Sequence, residues 1–134
     1  MSDKYITSKG KGLLLQLGFL SNNSTSNFNY LALGSQNSSG SQGEAGTFQE
    51  ISDSTYRREQ LHYEDSTDSS LSVSAIFDDT NYQPAEGGIV SEIGIVNQYE
   101  KNSSTDQWFA FLKVPDIKKD GNISLKYTIV ISIE

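Results

Sequence analysis

The chain has no cysteine, a single histidine, a single tryptophan and only two prolines in 134 residues. Without cysteine there is neither a disulfide framework nor a thiolate metal site. That usage suits assembly in a reducing compartment. Basic residues are scarce as well: ten Lys and Arg face seventeen Asp and Glu, for a net charge of -7. Such a surface repels phosphate backbones and anionic lipid, so neither nucleic acid nor a membrane is an expected partner. Leu13-Leu14-Leu15 and the other apolar runs fall far short of the roughly 20 residues a membrane-spanning helix needs. The opening Met-Ser-Asp-Lys-Tyr carries no basic segment followed by an apolar core, so a soluble chain without a secretory signal is expected. The length suits one domain over residues 1–134, with residues 1–6 as a flexible start and enough chain to bury a core.

What is present centres on Gly87 to Gln98. Two glycines open this stretch, β-branched residues fill Ile89, Val90, Ile93, Ile95 and Val96, and Glu92 interrupts them. A run this apolar, bounded by Gly-Gly and Asn-Gln, predicts a central strand covered on both faces. Gly94 inside it marks a bulge or a close backbone approach.

The remaining segments are read by how they pair with that strand. Leu13, Leu14, Leu17 and Leu20 fit one face of a short N-terminal helix within Thr7 to Leu20, and leucine is a good helix former. Phe28 to Gly34 alternates as a strand, and residues 35–46, nearly all Ser, Gly, Gln and Asn, predict an exposed loop. Thr47 to Tyr56 fits one helical turn with Phe48 and Ile51 inward. Arg57 to Tyr63 predicts a strand with Leu61 and Tyr63 on one face and Arg58, Gln60 and His62 on a wet one, and Glu64 to Ser70 a turn. Leu71, Val73, Ala75 and Phe77 alternate with Ser72, Ser74 and Ile76, a half-buried strand. Gln107 to Val114 predicts another, stopped at Pro115 because proline has no ladder donor. Asp120-Gly121 is a turn signal, and Ile123 to Glu134 gives the cleanest period of two in the chain. Six or seven short strands with polar loops make an all-β domain, mainly an antiparallel β-sandwich, with one short N-terminal helix.

Chemistry is sparse. A Ser-His-Asp reading would need His62 beside a nucleophile and an acid, but it falls on the polar face of its strand, so a solvated or rim histidine is expected. Asp78, Asp79 and Glu86, and likewise Glu64, Asp65 and Asp68, lack the regular oxygen spacing of a calcium loop and predict solvated acidic turns. No catalytic, metal or cofactor site is therefore expected. Glu92, inside a buried strand, needs a cation, because an unpaired charge there is costly. Arg57 is the expected partner in a structural ion pair with Glu92. Trp108, Tyr82 and Tyr99 are the candidate interface or ligand-facing aromatics.

Several stretches recur in a telling order. They are the glycine-containing segment Gly10 to Leu20, then Tyr30-Leu31-Ala32-Leu33-Gly34, then Glu50 with Tyr56-Arg57. Ile76-Phe77-Asp78-Asp79 and Ile89 to Ile95, with Glu92-Ile93-Gly94-Ile95 inside, follow. Val114-Pro115 and the alternating Leu125 to Ile133 close the series. This order resembles small tail-fibre and baseplate-associated proteins of tailed bacteriophages, in which an A-x-G strand end, an E-x-x-x-R-like segment and an E-I-G-[IL] strand recur. Here the glutamate and arginine of the middle motif stand further apart, at Glu50 and Arg57. The resemblance implies a non-enzymatic virion component, assembled in the cytoplasm of a bacterial host. It implies contacts with other tail or baseplate proteins, and a homo-oligomer of which the trimer is a common form. A carbohydrate-binding module or receptor-binding protein for bacterial surface glycan is the alternative, and a capsid decoration protein a second.

Overall fold

In a computed structural model of the protein, residues 28–35, 48–67, 69–101 and 106–132 are described. They form β1 (Tyr30–Gly34), β2 (Glu59–Gln60), β3 (His62–Ser66), β4 (Ser70–Phe77), β5 (Gly88–Val96), β6 (Trp108–Lys119) and β7 (Leu125–Ser132). The leading helix expected over Thr7 to Leu20, and the Ser/Gly-rich loop from residue 36 onward, lie outside the described residues.

Two sheets result, one in the order β2-β1-β5-β6 and one in the order β3-β4-β7. Every pairing is antiparallel. As expected, β5 is central, with β1 on one side and β6 on the other, and it is buried from Val90 to Val96. Leu31, Leu33, Ile93 and Ile95 from the first sheet meet Leu71, Val73, Phe77, Ile129 and Ile131 from the second in one apolar core. The alternation of β4 and β7 is the reason: their odd residues are buried, Tyr127 only in part, and most even ones face water. The Asp120-Gly121 turn joins β6 to β7, with the Ile123 N–H donating to the Asp120 carbonyl.

Three local expectations are corrected. Thr47 to Tyr56 makes no helical turn where it is described. Its backbone runs beside β1, with the Ser35 N–H donating to the Gln49 carbonyl and the Ile51 N–H to the Leu33 carbonyl. A single helical turn closes few bonds for the residues it fixes, whereas this path satisfies groups that β1 would otherwise leave open. The single wet-faced strand expected over Arg57 to Tyr63 divides instead. Leu61 is buried, with its N–H on the Asn29 carbonyl, and the chain leaves the first sheet there and enters the second. Arg58 is consequently buried, Tyr63 is 53% exposed, and β3 runs on to Ser66, past a bulge at Glu64. Pro115 does not end β6, which continues to Lys119. Val114, Pro115 and Asp116 stand opposite Ser91 alone, between the pairs Val90↔Ile117 and Glu92↔Lys113. A bulge on an edge strand is where a residue without an N–H is tolerated.

Candidate functional site

The densest polar construction lies on the outer face of the first sheet. Arg58, just before β2, turns its side chain over Trp108 of β6, with the guanidinium carbon 5.1 Å from the ring centroid. The side chain is fully buried, so its charge must be matched by hydrogen bonds on every side. It is. Nε and Nη2 donate to the two carboxylate oxygens of Glu50, both at 2.8 Å. Nη1 and Nη2 donate to the two oxygens of Asp106 at 3.0 and 2.9 Å. Nη1 also reaches the carbonyls of Gln98 at 3.0 Å and Glu100 at 3.1 Å. Burial works against the guanidinium charge, yet the hydrogen bonds from Glu50 and Asp106 and their charges outweigh it and raise its pKa above the ordinary arginine value.

Glu50 carries the network inward. Its Oε2 accepts the Tyr56 hydroxyl at 2.6 Å, and that hydroxyl accepts the Leu33 N–H of β1 at 3.0 Å. Burial first, and then the Glu50 charge, raise the Tyr56 pKa well above the usual phenol range, so its hydroxyl stays a donor. Tyr56 in turn packs within the core, against Phe77 and Tyr82. One guanidinium thus ties the 50–58 segment, the chain on both sides of the β5–β6 connection and β1 together. Two ring contacts seal the same face. Phe48 lies over Gly34, and Trp108 and Phe111 lie over Gly94.

Above the arginine is a cleft of about 350 Å³, lined on one side by Asp53, Tyr56 and Arg57 and on the other by Tyr99, Glu100 and Lys101. The Thr55 hydroxyl and N–H both bond Asp53 Oδ1 and hold that carboxyl below the usual range. Lys101 Nζ donates to the Ile51 carbonyl at 2.9 Å and stands 5.3 Å from the Tyr56 ring centroid. A second hollow, about 340 Å³, is lined by Glu59, His62, Glu64, Ser74, Asp78 and Asn81. There the Ser74 hydroxyl donates to Glu64, while His62 Nε2 lies 3.6 Å from Glu59. The serine and the histidine thus face different carboxylates, and no serine-to-histidine bond forms between them. Asp78 Oδ1 is taken by the Thr80 N–H and hydroxyl. Among the described residues no three His, Cys, Asp or Glu side chains are grouped as metal ligands, and Asp68 lies outside those residues.

The expected pair Arg57–Glu92 does not form. Arg57 is exposed, and the neighbouring Arg58 is the buried arginine, bonded to Glu50 and Asp106. Consecutive residues of an extended chain point to opposite sides, so a one-residue offset exchanges the roles. Glu92 is 3% exposed, opposite Gly34 and Lys113, and its Oε1 has no hydrogen-bond partner. Of the three aromatics singled out, Tyr82 is buried in the core and Trp108 is half-covered beneath Arg58, leaving Tyr99 at the rim of the cleft. Sequence reasoning missed Arg58 and Asp106. The available signal was the glutamate–arginine motif, read one residue short. Compared with family models, curated proteins and solved structures, the chain matches none.

Proposed function

We propose that the chain is a β-sandwich scaffold protein of a bacteriophage virion, a tail-fibre, baseplate or fibre-adaptor component that works through protein–protein contacts and not by catalysis. The observation that carries this reading is where the recurrent motifs meet. Ala32 and Gly34 pair with Gly94 and Glu92, Gly34 bridges to Glu50, and Glu50 holds Arg58. Segments distant in sequence are spent on one another, at the joint between strands, and not on a shared reactive centre. That is how a motif set behaves when it preserves a shape.

Two long strands support the contact role. β6 hydrogen-bonds to β5 and β7 to β4, and each is the last strand of its sheet among the described residues. Their exposed apolar side chains include Phe109, Ile117 and Val130. Edges of this kind are pairing surfaces that a lone monomer has to protect. The proposed state is a homo-oligomer, a trimer by analogy with fibres, docked on other tail or baseplate proteins. Light scattering across a concentration series is expected to give three times the chain mass of 14.8 kDa. Lysine cross-linking is expected to join Lys113, Lys118 and Lys126 between copies, since all three are exposed on these strands. A monomer at every concentration, with cross-links only within one chain, would refute the oligomer.

A further inference from the structure

The cleft presents one exposed ring among five charged side chains; Arg58 is already matched by Glu50 and Asp106, which leaves Asp53, Arg57, Glu100 and Lys101 in balance. Tyr99 is 47% exposed, yet its position is fixed. The carbonyls on either side of it, those of Gln98 and Glu100, both accept from Arg58 Nη1. Its ring makes a T-shaped contact with Tyr30, with centroids 5.9 Å apart. A buried guanidinium therefore holds an aromatic platform out toward water, where burial in the core would otherwise be the cheaper place for it.

The charges around the ring keep free bonding capacity. Arg57 and Glu100 have no side-chain partner among the described residues. Asp53 commits one carboxylate oxygen to Thr55 and keeps the other. Lys101 commits one donor to the Ile51 carbonyl, and an ammonium group has three.

This inventory discriminates between ligand classes. A phosphate or carboxylate ligand would be drawn to Arg57 and Lys101 but repelled by Asp53 and Glu100, so the mixed lining gives an anion no net advantage. An apolar ligand would strip water from four charges and return no bond to any of them. A ligand bearing adjacent hydroxyls, each donor and acceptor at once, on a ring with an apolar C–H face satisfies both the charged groups and the tyrosine. The cleft's volume of about 350 Å³ lies at the small end of ligand sites, which run from about 300 to 1,000 Å³. We propose that this cleft binds a neutral saccharide unit, with Tyr99 as the stacking face and Asp53, Arg57, Glu100 and Lys101 as partners of its hydroxyls. The inference stands apart from the virion reading, because it concerns a site and not an assembly.

The test uses the full chain on an array of neutral and acidic oligosaccharides of bacterial surfaces, followed by calorimetric titration with the strongest neutral binder. A neutral sugar is expected to bind. Tyr99→Ala is expected to weaken it by about tenfold or more, as loss of a stacking contact and its buried area predicts. Tyr99→Phe keeps the ring and should stay within about twofold of the parent. Arg57→Ala, at an exposed position, should also weaken binding, whereas Tyr63→Ala, an exposed tyrosine outside the cleft, should leave it unchanged. The proposal fails if no neutral sugar binds, if acidic sugars bind in preference to neutral ones, or if binding survives both Tyr99→Ala and Arg57→Ala.

Discussion

The Arg58 guanidinium carries much of this fold's stability, and its neighbour Arg57, exposed to water, adds little to it. Arg58 is surrounded by two carboxylates and two carbonyls, and its side chain is fully buried. Removing one partner of such a buried set leaves the other charges uncompensated, at a cost of about 3–5 kcal/mol. Arg58→Ala should therefore lose most of the protein's stability in urea denaturation, while Arg57→Ala should stay within about 0.5 kcal/mol of the parent. Arg58→Lys should rescue little, because an ammonium cannot form the two-pronged contacts with Glu50 and Asp106. Equal midpoints for Arg57→Ala and Arg58→Ala would contradict the assignment. From sequence the buried ion cluster was not legible: the charge expected to need a cation, Glu92, is buried without one among the described residues, while Asp106 lies 48 residues from Arg58 and the choice between adjacent arginines hangs on one residue of register. Tyr127 gives the second test at this scale. Its hydroxyl is buried without a partner, and burial pushes its pKa up to about 12. A raised folded-state pKa means stability that is present below the unfolded value, about 10, and is lost as the pH climbs toward 12. Tyr127→Phe should therefore stabilise the protein by about 1 kcal/mol at neutral pH, by removing an unpaired buried group. It should also flatten the loss of stability between about pH 10 and about 12. A destabilised Tyr127→Phe would mean that the hydroxyl has a partner after all.

At the scale of the elements, the strands with strict alternation were legible and the joints between them were not. β4 and β7 bury every second side chain against the core, so a period of two identifies them at once. β2 and β3 read as a single strand because the polar residues around Leu61 carry no mark of a change of sheet. Pro115 misled for the opposite reason: its breaker chemistry is real, but a bulge at an edge removes the need for its N–H. Gly94 was legible as a close approach, and the structure supplies the neighbour. A Cβ there would come within 2.8 Å of Trp108 and 3.3 Å of Phe111. Both rings are rigid and interlocked with Phe48, so they yield only by leaving their packing. Gly94→Ala should cost about 1–3 kcal/mol, the usual range for an overpacked site. Gly121→Ala, whose added carbon meets only the flexible Gln83 side chain at 3.3 Å, is the control expected to cost less. Denaturant midpoints in the reverse order would show that the aromatic layer is loose.

The molecule as a whole combines strands that end their sheets among the described residues with a net charge of -7, and those two features oppose one another. Phe109, Ile117 and Val130, the last of them 63% exposed, favour contact between copies, while each copy repels the next electrostatically. The proposed self-association should therefore depend on salt in a defined direction. At about 0.02 M the repulsion reaches beyond 20 Å, and at about 0.5 M it is screened within a few ångströms, whereas apolar contact is not weakened by added salt. The mass from light scattering is expected to rise toward the oligomer as salt is added at fixed protein concentration. Val130→Lys, which puts a cation at the most exposed apolar position of β7, should hold the mass at the monomer value if that edge is the contact. Should salt instead dissociate the oligomer, ion pairs hold the copies together, and the exposed lysines Lys113, Lys118 and Lys126 become the residues to mutate in place of the apolar edge.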